Sequence, residues 1–292
     1  MFGSVLVNLY LSSSWNMLTS LGPATTPAQL EGWQSSVTTT GGQINIYDNY
    51  STSTTFQATL TGTVPPPILA RTGVFSHIAA GGGWTTVITL VNPSSTAVPV
   101  TVAFHNDDGS ALTMPVTTMY QGASQATTTS SVNATISPDA TLLISMGNGA
   151  TSTVVGWADV LTSGALGGYA IFRTSGPNSP VSEGTVPLQA QFPSTVTLPY
   201  DNTAGFVMGV ALVNLSTSSA NITATIRDAN GNQLGAQTIT IEGSGHDSFV
   251  LPNDLPQTAG QLGVVQFQAT GGVAGLGLRF SPFGTFTSVP TF

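Results

Sequence analysis

Residues 90–112, LVNPSSTAVPVTVAFHNDDGSAL, return at a fixed offset of 122 as LVNLSTSSANITATIRDANGNQL in residues 212–234. Seven of the 23 paired positions are identical, including the leading Leu-Val-Asn and the Gly of each Asp/Asn-rich turn. A pattern repeated at this spacing marks one supersecondary unit used twice. The echo begins upstream, where Gly83-Trp84 falls on Gly205-Phe206. Beyond the turn, register is lost and then regained at an offset of 107, with Gly156-Trp157 on Gly263-Val264 and SGALGGYAIFR (163–173) on TGGVAGLGLRF (270–280). The 15-residue difference in offset is an insertion in copy one. It is placed in QGASQATTTSSV (121–132), a Ser/Thr-rich stretch with the composition of an exposed loop. Both copies end on a Val-Pro pair, Val186-Pro187 and Val289-Pro290, which sets the copies at 71–190 and 191–292.

Within each copy the apolar residues alternate. Val98, Val100, Val102 and Phe104 share one face, as do Ile222, Ala224 and Ile226 in the second copy. A period of two marks half-buried strands. Gly, Pro, Asn and Asp punctuate many such short runs, and no window carries a capped 3.6-residue period. The best helical candidate is a single turn in TTPAQLEGWQ (25–34), with Pro27 at its first position. The expected fold class is all-β: two tandem Ig-like antiparallel β-sandwich domains plus an N-terminal β-segment. That segment, residues 1–70, holds the apolar run VLVNLYL (5–11), the strand-like QINIYDNY and TSTTFQATLTG, and the stiff connector VPPPI (64–68). The apolar run has no basic residue before it and is much shorter than the ~20 residues that cross a bilayer. It reads as a strand.

Charge narrows the partners. Only 5% of residues are charged, against roughly 25% in ordinary soluble proteins, and the chain has four arginines and no lysine. A net charge of −8 excludes phosphate neutralisation, so no nucleic acid is expected, nor attachment to anionic lipid. Cysteine is absent, so neither disulfides nor thiolate metal sites enter. With so few ionisable groups, little in the fold is expected to depend on pH. Charged side chains are also the usual means of keeping exposed β-edges apart. A β-rich chain without them is either coated or meant to touch other chains.

The combination GGGWTTVITLVNPS, a turn of the NDDG kind, then GWADV…GYAIFR…VPL over residues 71–292 resembles tandem β-sandwich repeats of large secreted proteins from soil and environmental bacteria, notably acidobacteria. The resemblance implies an extracellular protein. Its motifs are structural, and it implies no catalytic residues.

The residues support the same view of the chemistry. His246, Asp247 and Ser248 are consecutive on a strand or loop and point to alternate faces, so they form no hydrolytic relay, and GSGHDS reads as a hairpin loop. Only His77, His105 and His246 exist, and neither His77 nor His105 has an equivalent in the other copy, so no shared zinc site is expected. Asp107, Asp108, Asp228 and Asn230 are the best calcium candidates, since calcium takes closely spaced carboxylate and amide oxygens. Asp-Gly and Asn-Gly between alternating strands are equally hairpin turns, and the turn is the preferred reading. Trp84 and Trp157 align with Phe206 and Val264 and read as core; Trp15 and Trp33 have no internal comparison. Four N-x-[ST] sequons begin at Asn49, Asn133, Asn214 and Asn221.

No catalytic residue, metal or cofactor is therefore assigned, and the chain is read as a non-enzyme. The expected function is a structural extracellular protein whose partners are copies of itself, assembled into a filament or surface layer. Val5, Val7, Leu9 and Leu11 are the assembly residues, on a strand added to the edge of a neighbouring subunit. The alternative is a carbohydrate-binding or adhesive module with glycans as partners.

Overall fold

The computed structural model describes residues 68–147, 151–174 and 181–292, and four strands in the first 67 residues. The chain divides into two compact units, Met1–Pro67 and Ile68–Phe292. In the first unit β1 (Val5–Tyr10) pairs antiparallel with β2 (Met17–Ala24), with Val7 opposite Leu21 and Leu9 opposite Thr19. A second short pair joins β3 (Gln43–Ile44) to β4 (Ala58–Thr59). Of the expected assembly residues, Val5, Val7 and Leu9 lie on β1, whereas Leu11 lies outside the described residues, as do Trp15, Trp33, Asn49 and the helical candidate at 25–34.

The second unit is all-β and built of antiparallel sheets packed as sandwiches. Copy one runs β5 (Ala70–Ala80), β6 (Trp84–Val91), β7 (Val98–His105), β8 (Met114–Tyr120), β9 (Ala123–Thr129), β10 (Ser131–Ile136), β11 (Thr141–Met146), β12 (Val154–Thr162), β13 (Gly167–Thr174) and β14 (Ser182–Pro187). Copy two runs β15 (Thr195–Asp201), β16 (Val207–Asn214), β17 (Ala220–Asp228), β18 (Gln233–Ile241), β19 (His246–Val250), a helical turn α1 (Leu251–Asp254), β20 (Leu262–Gln268), β21 (Val273–Phe280) and β22 (Phe286–Pro290). The sheets of copy one have the orders β10-β7-β12-β5 and β14-β13-β6-β11-β8-β9; those of copy two are β18-β17-β20-β15 and β22-β21-β16-β19. Strand for strand, the two orders are the same except for the β8–β9 hairpin.

Alternation built these sheets as the period predicts. In β7, Val98, Val100, Val102 and Phe104 are buried while the residues between them are half-exposed, and the last three pack with Ile88, Leu90, Ile144, Met146 and Phe172 in the first core. Ile222, Ala224 and Ile226 do the same beside Leu198, Val210 and Phe267 in the second. Between β5 and β6 the chain turns on Gly81, Gly82 and Gly83, all with positive φ, and a Cβ on Gly82 would strike the Thr153 hydroxyl.

The insertion in copy one is not the loop that its composition suggested. Val98 lies opposite Ile136 as Ala220 lies opposite Ile241, so the extra residues between these landmarks are the whole β8–β9 hairpin. Residues 123–129 form a regular strand, paired one to one with β8 from Ala123–Tyr120 to Thr129–Met114. They show no alternation because six of the seven are exposed, so nothing selects apolar residues for either face.

The identical Asn of each Leu-Val-Asn has the same work in both copies. Asn92 Nδ2 donates to the carbonyls of Thr96 (2.7 Å), Ile136 (2.9 Å) and Ser137 (3.2 Å), and its Oδ1 accepts from Ser94 N at 3.0 Å. Asn214 Nδ2 donates to Ser218, Ile241 and Glu242 at 2.8, 3.1 and 2.9 Å, and its Oδ1 accepts from Ser216 N at 3.0 Å. Each side chain is buried and ties the end of a central strand both to its own turn and to the segment leading into the neighbouring strand. Replacing Asn92 or Asn214 by Ala strands several buried carbonyls, which costs about 2–3 kcal/mol. Denaturant unfolding is expected to show that loss for either variant, with the β-sheet circular dichroism of the folded state unchanged.

Candidate functional site

Most of the buried titratable side chains of the second unit, His77, His246 and Asp159, lie where its two sandwiches meet. On one side the contact is aromatic: Phe286 of β22 stacks on Phe172 of β13 (ring centroids 5.3 Å, 7° between planes) and lies 5.6 Å from Trp84. Phe286 and Leu276, both from copy two, are thereby part of the first core. Gly184 is where this stack comes closest to the backbone, since a Cβ there would fall 2.5 Å from Phe172. Beside it lies a separate apolar cluster of Val74, Trp157, Val213, Leu215 and Ala274, again drawn from both copies. Trp157 reaches it because β12 shifts register against β5 between Gly156 and Ala158. Such a bulge re-aims a side chain. The ring is fully buried, as expected of a core position, but in the joint between the sandwiches and not in the core of copy one.

Hydrogen bonds close the joint. Trp157 Nε1 donates to Ser244 O at 2.8 Å, and Gln189 Nε2 donates to Gly275 O at 3.0 Å. Arg71 on β5 grips both oxygens of Asp159 on β12 at 2.8–3.0 Å and sends its remaining arm to Leu215 O at 2.8 Å. The guanidinium is also 5.6 Å from the Trp157 ring centroid, and His105 stacks on that ring at 4.4 Å. The turn 106–109 of copy one docks on the loop before β19. Asp107 O accepts from His246 N at 2.9 Å, and a Cβ on Gly109 would strike Gly243 O.

Through this contact runs a chain of three titratable groups. Asp107 Oδ1 accepts from His246 Nδ1 at 2.8 Å, and His246 Nε2 lies 3.2 Å from His77 Nδ1. His246 thus meets the carboxylate through Nδ1 and His77 through Nε2, and the tautomers of the two rings set which of them donates in the second contact. Both imidazoles are buried, while most of the Asp107 side chain is in solvent. His77 also meets Phe172 edge-on at 5.4 Å, which links the polar chain to the aromatic stack. Burial, and then the neighbouring His246, push His77 from 6.5 down to about 3, against an opposing pull from Asp107. His105 is lowered too, mainly by burial, with the Gly109 carbonyl working the other way. The low value leaves His77 a poor base at neutral pH, and both ring nitrogens of His246 are engaged away from Ser248. The arrangement ties protonation to the joint.

The calcium candidates are placed on turns whose bonds use their oxygens. Asp108 Oδ1 accepts from the backbone and hydroxyl of Ser110, which lowers its pKa. Asp228 accepts from Asn230 N, Asn232 N and Asn232 Nδ2 and is lowered likewise. Asp107 serves His246, and Asn230 lies on the exposed turn of copy two. Among the described residues no three His, Asp or Glu side chains gather as a metal-holding group. Of the sequons, Asn133 and Asn221 are exposed on β10 and β17, whereas Asn214 is buried with its amide fully bonded.

Sequence reasoning did not bring His77, Asp107 and His246 together. A signal was present: His77, Asp107, Trp157 and Asp159 align with Pro199, Ala229, Val264 and Gln266, so the repeat departs from itself where copy one meets copy two. The joint also overturns the expectation that little depends on pH. The unfolded chain takes a proton on His77 near 6.5, the folded chain only at about 3, so between these values the unfolded state binds more protons. Stability is expected to be complete above pH 6.5 and to fall as pH drops towards 3, by a few kcal/mol in all. Urea unfolding at pH 7 and pH 4 is expected to show the drop, and His77→Gln to remove most of it. Comparison of the chain with protein families, with curated proteins and with solved structures gave no match.

Proposed function

We propose that this chain is a structural extracellular protein that assembles with copies of itself into a filament or surface layer. No reaction is assigned to it. The observation that carries the reading is the state of its sheet edges. Several edges in the second unit are covered: β5 exchanges backbone bonds with Gln189, β15 does so with Phe292, and β14 faces β22, with Thr185 N donating to Ser288 Oγ. Among the described residues the edge strands β9 and β18 have no strand beyond them, and neither carries a charged residue or a proline. Soluble proteins ordinarily blunt such edges with lysine, proline or a bulge. Leaving them bare in a chain without any lysine suits a protein whose edges are used.

Strand addition is the matching mechanism. Strand β1, with Val5, Val7 and Leu9, is bordered by β2 on one side and, among the described residues, ends its sheet on the other. Added to an edge of a neighbouring subunit, it would supply main-chain hydrogen bonds. A contact between two different surfaces does not close on itself and grows a fibre. The resemblance to secreted repeats supports an extracellular setting. The glycan-binding alternative draws no support from Trp84 or Trp157, since the first packs against Phe172 and Phe286 and the second is buried in the joint.

Negative-stain microscopy of the native protein is expected to show ordered polymers, and deletion of residues 1–14 to abolish them. Unchanged polymers after the deletion would remove β1 as donor. A monodisperse monomer from native material would end the assembly reading.

A further inference from the structure

We propose that β9 is a self-pairing edge: two copies of the chain join by laying Ala123–Thr129 of one antiparallel against Ala123–Thr129 of the other, about a two-fold axis through Ala126. This goes beyond the filament reading and needs no strand from β1.

The strand is built for such contact. It ends its six-stranded sheet, and its register with β8 is unbroken over seven residue pairs, so the edge is straight and regular. Alternate residues of an edge strand direct N–H and C=O groups away from the sheet, and among the described residues no strand accepts them here. Of the other open edges, β18 is less regular, its pairing with β17 shifting between Ile226 and Arg227 and the Gln257 side chain packing against Gly235, while β10 and β19 pair over only six and five residues. An open cleft of about 380 Å³ borders Ala126, Thr127 and Thr128 of β9 and leaves one face of the hairpin uncovered.

The sequence ASQATTT is also complementary to itself. With Ala126 on the axis, Ala123 faces Thr129, Ser124 faces Thr128 and Gln125 faces Thr127. Hydroxyl and amide side chains directly opposed across an antiparallel pair stabilise it, and like charges would oppose it. No residue of the strand is charged, and the residue meeting its own copy on the axis is the small Ala126. The pair would merge two six-stranded sheets into one continuous sheet. A two-fold contact closes on itself, so it yields dimers; growth beyond a dimer requires another contact, such as the one proposed for β1.

Because the chain contains no cysteine, single thiols report the register cleanly. Directly opposed residues in an antiparallel pair have Cα atoms ~4.5–5.5 Å apart, within the range a disulfide spans. In the proposed register Thr128 and its own mate are about 13 Å apart, beyond that range. Mild oxidation of the full-length Ala126→Cys protein is expected to give mostly disulfide-linked dimers on a non-reducing gel. Thr128→Cys alone is expected to give few, and a mixture of Thr128→Cys with Ser124→Cys to give the crosslinked heterodimer. Ala126→Lys and Ala126→Glu are each expected to sediment as monomers where the parent dimerises, and their equimolar mixture to dimerise again. Equal crosslinking at positions 126 and 128, or none at either, overturns the pairing, as does a mixture of the charged variants that stays monomeric. Crosslinked dimers in material without polymers support the pairing while ending the filament reading; polymers without the crosslink do the reverse.

Discussion

The structure hangs on one buried amide used twice. Asn92 and Asn214 each spend both ends of the side chain on backbone groups, so a turn and the segment leading into the adjacent strand are held by a single residue. A buried amide donating to two or three carbonyls cannot be replaced by an apolar group without leaving them unpaired. That is reason enough for Leu-Val-Asn to persist while most of the surrounding positions change. What the staple holds differs between the copies. In copy one it fixes Ser137, whose N–H donates to Tyr120 Oη, so the staple steadies the root of the β8–β9 hairpin. In copy two it fixes Glu242, and Asn214 N also donates to Gly245 O, so the staple shapes the loop carrying Ser244 and His246 into the joint.

Two equivalent sandwiches have thereby acquired different outer surfaces. The turn 106–109 is occupied by its partner sandwich, whereas the matching 228–232 turn closes on itself through Asp228. The aromatic stack, the Trp157 cluster and the Asp107–His246–His77 chain all cross the same joint, so apolar burial and polar bonding there are coupled. Opening the joint would expose Phe286 and Leu276, which belong to the first core, and would also leave His77 without its bond. The aromatic contacts supply the non-directional attraction, and the imidazole and indole bonds fix the register of one sandwich on the other.

Much of this fold was legible, and what was hidden follows a physical rule. The period of two in Val98–Phe104 and Ile222–Ile226 could be read because each strand has one face on a core. The offsets of the repeat gave the size of the insertion, yet its bounds and conformation were not readable, because Ala123–Thr129 faces solvent on both sides and needs no pattern. Trp157 was recognisable as a buried aromatic from its alignment with Val264, but a register shift decides which core it enters, and a shift of that kind leaves no mark in hydrophobicity. The histidine chain was hidden for another reason. Positions 77, 107 and 246 meet only through the packing of one sandwich on another, and no spacing along the chain encodes that distance.

The scarcity of charge takes on a different meaning once its location is known. Arg71 and Asp159 are paired at the joint, and Arg279 pairs with Asp201 while lying 3.5 Å over the Phe206 ring. Asp159 is the one buried carboxylate among the described residues, and its pairing with Arg71 fixes the joint, while most of the remaining charges lie on the surface. Two consequences come from this distribution. The sheet edges go without the charges that normally keep chains apart, so contact between copies meets little electrostatic opposition. The three histidines, the only side chains whose ordinary titration falls between neutral and acid pH, have been drawn to the joint. An acid environment therefore acts first on how the sandwiches are held together, while the apolar cores and the uncharged edges have nothing that titrates. Stability against acid and contact between copies are thus set by separate parts of the molecule.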